Sequence, residues 1–388
     1  MPLQHWLQLS LTQGIGPILA RRIIEATGSA QLACAASADL LATIEGIGIA
    51  KSRKIATALR SAAADAQNEM ARAAAVGVKI YCPDDASYPL MLRSIPDPPN
   101  VLYCRGTLED RDLNGMAIVG SRKCSFYGRE QAERFGALLA GAGFTVISGG
   151  ARGIDSAAHR GAMSHPQGRT IAVLGSGVDV PYPPENKELF EQVAAYGAVL
   201  SEFPLGTSPA RENFPRRNRI VSGLSRGVLI IEADVRSGAL ITARQACDDH
   251  GRPVFALPGR VDNPLSAGPH LLIRDGATLV TRLEEIQEGL GPLPADAVEA
   301  GLFVESAPPA SALPPGEAAV VANQPTLPFD GLTVRQRTIL EAVTGGPTHV
   351  ELIVERTGLE IHVILQELTF LSLKGKVRRV EGQTYERR

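Results

Sequence analysis

Between residues 116 and 280 the chain places a series of short apolar runs: "MAIVG" (116–120), "FTVIS" (144–148), "TIAVLG" (170–175), "AVLSEF" (198–203), "GVLIIEA" (227–233), "PVFALPG" (253–259) and "ATLV" (277–280). They are nearly continuous rather than alternating, as expected of strands covered on both faces. Helix-length segments separate them, so successive strands are joined by right-handed crossovers and lie parallel. The pattern predicts an α/β domain over 76–290 built on a doubly wound parallel sheet. Ligands of such sheets gather outside the carboxyl ends of the strands. The glycine-rich turns after the first three runs fall there.

A chain of 388 residues is too long for one ordinary core, and the flanks read differently from the middle. Residues 1–75 contain no good strand but repeat one theme, in "LTQGIGPILARRII" (11–24) and "TIEGIGIAKSRKIA" (43–56). Each copy reads as helix, tight glycine turn, helix, and resembles a helix-hairpin-helix motif. Such turns either meet a DNA phosphate or serve as a packing module, and both readings stay open. Residues 291–330 are rich in Pro and Ala without periodicity and read as a linker. Residues 331–388 offer three amphipathic helices and a small hairpin, "KVRRVEGQTYER", the outline of a winged-helix domain. Domains of that type bind duplex DNA or mediate protein contacts.

The formal net charge of −2 excludes a uniformly basic nucleic-acid coat but not a local basic patch. The five cysteines are odd in number, scattered and without a C-x-x-C pair, which suits a reducing compartment and argues against a disulfide framework or zinc ribbon. No metal-ligand spacing appears. The N-terminus lacks a basic segment followed by a sustained apolar one, and no apolar run approaches the ~18 residues of a membrane span. These features predict a cytoplasmic protein.

Four turns are candidate anion seats. In "VGSRKCSFYG" (119–128), Gly120 lets a ligand approach the backbone, Ser121 offers a hydroxyl and Arg122 a bidentate partner for phosphate. In "SGGARGIDSAAHRGA" (148–162), Gly149 and Gly150 permit positive φ, Arg152 supplies charge, and a helix N-terminus follows. "ARENFPRRNRIVSGLSR" (210–226) concentrates Arg211, Arg216, Arg217, Arg219 and Arg226 around Phe214 and Asn218, with Glu212 the sole acid. Arginines beside an aromatic suit a single-stranded backbone with exposed bases; the alternative is a solvated helix face. In "EADVRSGALITARQA" (232–246), Ser237 and Gly238 open a helix.

Enzyme readings find less support. No G-x-G-x-x-G follows a strand, so NAD or FAD is not expected, and no Walker sequence is present. Asp155 and His159 share a helical face, but an acid in a first turn is ordinary capping chemistry. Glu232 ends a strand without a second carboxylate placed beside it by any motif. No catalytic residue is assigned, and no cofactor or metal is expected.

Taken in order, "AIVGSRKCSFYG", "ISGGARGIDSAAHRGA", "TIAVLGSGVDVPYPPEN", "SEFPLGTSPARENFPRRNRIVSGLSRGVLIIEA", "RSGALITARQA" and "FALPG" resemble the DNA processing protein A family, also called DprA or Smf. The resemblance is dense over roughly 80–280. It implies an extended Rossmann-like domain that binds single-stranded DNA and loads the RecA recombinase onto it in natural transformation, as a homodimer. It assigns the family's G-S-R turn to Gly120, Ser121 and Arg122, its basic glycine turn to Gly149, Gly150 and Arg152, and its F-P-x-R-N-R segment to Phe214, Pro215, Arg217, Asn218 and Arg219. Arg216 occupies that segment's variable position. Two other readings remain: a phosphoribohydrolase-like nucleotide enzyme, whose P-G-G-x-G-T-x-x-E segment is missing here, and a duplex-DNA regulator acting through the winged helix.

Overall fold

The apolar runs assemble into one nine-stranded sheet of order β1-β2-β6-β5-β4-β3-β7-β8-β9. The computed structural model describes residues 2–290 and, with gaps, residues 334–387. The expected linker, 291–330, lies outside the described residues. The strands are β1 (Lys79–Tyr81), β2 (Leu102–Gly106), β3 (Gly115–Val119), β4 (Thr145–Ser148), β5 (Arg169–Val173), β6 (Ala198–Ser201), β7 (Gly227–Ile230), β8 (Val254–Ala256) and β9 (Thr278–Leu279). Every residue of β3 to β8 is buried, which is why these strands carry no polar alternation.

The sheet is Rossmann-like but not wholly parallel. Strands β3 to β9 pair in parallel as expected, whereas β2 runs antiparallel to both β1 and β6. The run "VLYCRG" forms β2 without a preceding crossover helix of full length, so a rule tuned to βαβ units passes over it. Strand β3 is flanked by β4 on one side and β7 on the other. The chain order therefore reverses beside β3, and a crevice opens at the carboxyl ends of β3, β4 and β7.

The N-terminal segment is helical: α1 (Pro2–Leu11), α2 (Pro17–Thr27), α3 (Ala30–Cys34), α4 (Ala38–Ala42) and α5 (Ile49–Ala75). The two G-I-G copies join α1 to α2 and α4 to α5. In each, the first glycine, Gly14 or Gly46, sits at φ +89°, a conformation that favours glycine, and the second caps the following helix. Leu7, Ile23, Leu41 and Leu59 form a core that continues into Val78, Tyr103, Val178 and Leu205 at the sheet's β1–β2 side. Trp6 Nε1 donates to Asp84 Oδ2 at 2.7 Å, and Glu69 Oε1 accepts from the Leu205 amide at 2.7 Å. The helical segment is thus fixed to the sheet by apolar burial and by satisfied polar groups.

Further helices are α6 (Leu90–Arg93), α7 (Phe126–Gly141), α8 (Ile154–Ser164), α9 (Lys187–Tyr196), α10 (Asn213–Gly223), α11 (Gly238–Arg244), α12 (Ala267–Arg274) and α13 (Leu283–Gly289). The described residues from 334 onward form a separate compact unit. It holds α14 (Val334–Ala342), β10 (Thr348–His349), α15 (Val350–Thr357), β11 (Val377–Arg379) and β12 (Thr384–Arg387). The expected hairpin is the antiparallel β11–β12 pair, and β10 adds a third strand on β12. Ile339, Val350, Ile353, Leu368 and Tyr385 make its core, the plan of a winged helix. Most of the third expected helix lies outside the described residues. Among the described residues no helix is long and apolar enough to cross a membrane.

Candidate nucleic-acid interface

The crevice beside β3 is a cleft of about 560 Å³. Its walls are the turn after β3, the turn after β4, one face of α10 and the start of α11. Gly120, Ser121, Arg122, Gly149, Phe214, Arg217, Asn218, Ser237 and Gly238 all line it. A smaller recess adjoining it is lined by Arg152 together with Arg122, Gly149, Phe214 and Arg217. Most of the residues chosen from the sequence therefore share one concave surface, but Gly150, Arg216 and Arg219 line neither the cleft nor the recess.

The turn after β3 is pinned by backbone bonds. Ser121 N donates to Glu232 O at 2.6 Å, and Ser121 O accepts from Ile154 N at 3.2 Å. That fixes Arg122 at the rim, where its guanidinium carbon stands 5.0 Å from the centroid of the Phe214 ring. Phe214 in turn meets Tyr182, with ring centroids 5.6 Å apart and planes tilted by 48°. Cation and aromatic rings form one stacked surface facing the cleft.

The turn after β4 works differently from the sequence expectation. Gly150 takes positive φ, +63°, but Gly149 does not. Gly149 is required by close approach instead, because a Cβ there would strike the Arg217 guanidinium. Arg217 is 4% exposed and donates through Nη1 to the carbonyls of Gly149 and Val173. Burial draws its pKa down to about 10, with Asp155 pulling the other way. Asp155, also buried, accepts from Ala151 N at 3.2 Å, and burial pushes its carboxyl above the ordinary value against the pull of Arg217. Arg217 thus ties α10 to the ends of β4 and β5 and adds buried positive charge to the cleft floor. Arg152 is exposed and ion-paired with Glu185.

Helix α10 sorts the arginine cluster by its period. Phe214, Arg217, Asn218 and Val221 recur at helical spacing and face the cleft. Arg216 and Arg219 lie on another face and do not line it. Arg216 stacks 5.2 Å over Phe203, and Arg219 is buried with Asp97 at 3.1 Å and with Glu202. Arg226 follows the helix and donates to Asn114. Asn218 Nδ2 makes a 3.4 Å bond to Gly238 O, while Ser237 caps α11 by accepting from Ala239 N at 3.2 Å.

A family model described as DNA recombination-mediator protein A matches residues 79–291, more than half of the chain. The chain belongs to the DNA recombination-mediator protein A family. A second family model, the DprA winged helix domain, matches residues 304–383. Protein Smf of Synechocystis is 36% identical over 99% of this chain and 98% of its own length. Protein Smf of Escherichia coli is 41% identical, covering 77% of this chain and 75% of that one. The X-ray structure of DNA processing protein A from Streptococcus pneumoniae superposes with a TM-score of 0.63 at 34% identity, over 73% of this chain and 95% of that one.

For a mediator of this family, the carboxylates that suggested an enzyme have other employment. Glu232 accepts from Ser125 N at 2.8 Å and from Ser125 Oγ at 2.6 Å, capping α7. His159 is fully buried, its Nδ1 2.7 Å from Thr170 Oγ1, and burial draws its pKa down to about 3. Sequence reasoning passed over Tyr182, Lys123 and Arg236 at this interface. Tyr182 announces itself only as an aromatic between prolines, and Lys123 and Arg236 as charges beside residues already chosen.

Proposed function

We propose that this mediator holds single-stranded DNA in the cleft beside β3, without making or breaking a bond, and from there delivers the strand to the RecA recombinase during the processing of DNA taken up in natural transformation, acting as a homodimer. The observation that carries this reading is the stacked pair of Arg122 and Phe214 at the mouth of a cleft floored by Arg217 and edged by Ser121, Ser237 and Gly238. A guanidinium above a ring offers a phosphate partner and a base-stacking face within one cleft, which a single strand can use and a stacked duplex cannot. The engagement of Glu232 and Asp155 in capping bonds supports a binding role over nucleotide hydrolysis.

Titration of a fluorescent oligothymidine across salt concentrations tests the reading. Affinity should fall with salt at a slope of about −0.7 per neutralised phosphate. Duplex of the same length should compete poorly, and RecA filaments should nucleate faster on strands carrying the protein. Equal affinity for duplex, or release of adenine from AMP, would overturn it.

A further inference from the structure

A second cavity, about 580 Å³, opens on the face of α10 that the first cleft does not use. The two meet at Pro215, which lines both. Its walls are the glycine turn and first residues of α2, Lys51 of α5, and Arg216 and Arg219 of α10. Arg22, Lys51, Arg216 and Arg219 bring four cations to this cavity against one lining carboxylate, Asp97, which bonds Arg219 at 3.1 Å. Exposed Glu45 lies 3.5 Å from Arg22, and buried Glu202 lies 3.9 Å from Arg216 and bonds Arg219.

Two independent features point to an anion here. The eleven-residue helix α2 begins at Gly16 with no side-chain cap, and since Pro17 carries no N–H, the amides of Ile18 and Leu19 are the ones left at its positive end, which lines the cavity. Arg219, whose side chain is only 6% exposed, has no acceptor for Nη1. Nη1 is closed to the cavity and adds fixed positive charge behind it, while the exposed Lys51 and Arg216 are the cations that can reach an anion directly. Beside these donors Ile18 is 55% exposed, an apolar surface of the kind that sugars and bases cover.

We propose that this cavity is a second phosphate seat for the same DNA strand: a strand leaving the first cleft crosses Pro215 and is held by Lys51, Arg216 and the amides at the start of α2. The inference rests on the first cleft being the strand's primary seat. It gives the helix-hairpin-helix segment, fixed to the sheet by a shared core, a direct part in DNA binding.

The test uses the full chain and two oligothymidines, of about 5 and about 20 nucleotides, bracketing the site sizes common among single-strand binders. Lys51→Glu and, separately, Ile18→Glu are titrated by fluorescence anisotropy across salt. Both positions are exposed, and an acidic residue in the first turn favours the helix while repelling a phosphate, so Ile18→Glu cannot act by unfolding α2. The expected result is a loss of about five- to tenfold for the long oligomer, a salt slope shallower by about 0.7, and unchanged binding of the short one. Wild-type affinity of both variants for the long oligomer, or an equal loss at both lengths, overturns the second seat. Arg122→Ala, measured in parallel, should weaken both lengths. If it weakens neither while Lys51→Glu weakens the long oligomer, the first cleft is the reading that fails.

Discussion

The Arg217 guanidinium fills the space where a side chain on residue 149 would stand. A Cβ built on Gly149 lies 2.6 Å from Arg217 Cζ, closer than a non-bonded Cβ comes to any heavy atom. Gly149→Ala should therefore push Arg217 off the carbonyls of Gly149 and Val173. The expected cost is that of an overpacked core site, about 1–3 kcal/mol in urea unfolding, with weakened DNA binding alongside. Wild-type stability would show that the guanidinium has room to yield.

Arg122 and Arg217 line the same cleft and should fail in different ways when removed. Arg122 is exposed, so Arg122→Ala should leave the unfolding midpoint unchanged, lower single-strand affinity and flatten the salt slope by about 0.7. Arg217→Ala strands Asp155 in the interior without its cation and frees two carbonyls. It should lose affinity and also about 1–3 kcal/mol of stability, the usual cost of leaving buried acceptors without their donor. Paired urea melts and anisotropy titrations separate the two. A destabilised Arg122→Ala, or a fully stable Arg217→Ala, would reverse the assignment.

Tyr182 and Arg122 brace the Phe214 ring, which on the proposed function would stack a base. Phe214→Leu keeps apolar bulk but removes the π face, and should weaken oligothymidine binding by about 1–3 kcal/mol, the usual worth of one stacked base. Phe214→Trp should bind normally and report the strand by quenching of its fluorescence. Tight binding by the leucine variant would mean that bases do not stack there.

These roles show what the sequence reveals and what it conceals. Strands β3 to β8 were legible because burial on both faces writes itself locally as unbroken apolar runs. Strand β2 was not, since its antiparallel pairing obeys a rule different from the crossovers around it. The arginines of 211–226 were legible as a charge cluster, and the 3.6-residue period already separates Arg217 from Arg216 and Arg219. Their partners were hidden. Gly149 lies 68 residues before Arg217, and Asp97 lies 122 before Arg219, so only the fold reveals that those charges are already engaged.

His159 should make the protein sensitive to mild acid. Its folded pKa is drawn down to about 3, whereas an unfolded histidine titrates near 6.5. Between those values the unfolded state binds the extra proton, so stability present above pH 6.5 is lost as pH falls, by up to roughly 1.4 kcal/mol per pH unit. His250, also lowered by burial, works in the same direction; Asp155 and Glu202, raised by burial, work against it. His159→Asn keeps a hydrogen-bonding atom near Thr170 and isolates one contribution. Its unfolding free energy, measured by urea from pH 7 to pH 4, should fall less steeply than that of the parent. Parallel slopes would show that His159 does not hold the proton difference.

Arg152 lines the cleft's recess already paired with Glu185, and on the proposed function a phosphate would compete with that carboxylate. Both side chains are about half exposed, so water and salt screen the pair and leave it only weakly held. Glu185→Gln should release Arg152 and raise single-strand affinity by as much as about fivefold at low salt, with a smaller gain at high salt. Removing any nearby negative charge helps somewhat, and Glu188→Gln, an exposed acid on the following helix, measures that general effect. The specific effect is the excess of the first variant over the second. It should vanish when Arg152→Ala is added, because the coupling between residues 152 and 185 is then gone. A gain that survives Arg152→Ala would assign the improvement to long-range charge alone and remove Arg152 from the strand's path.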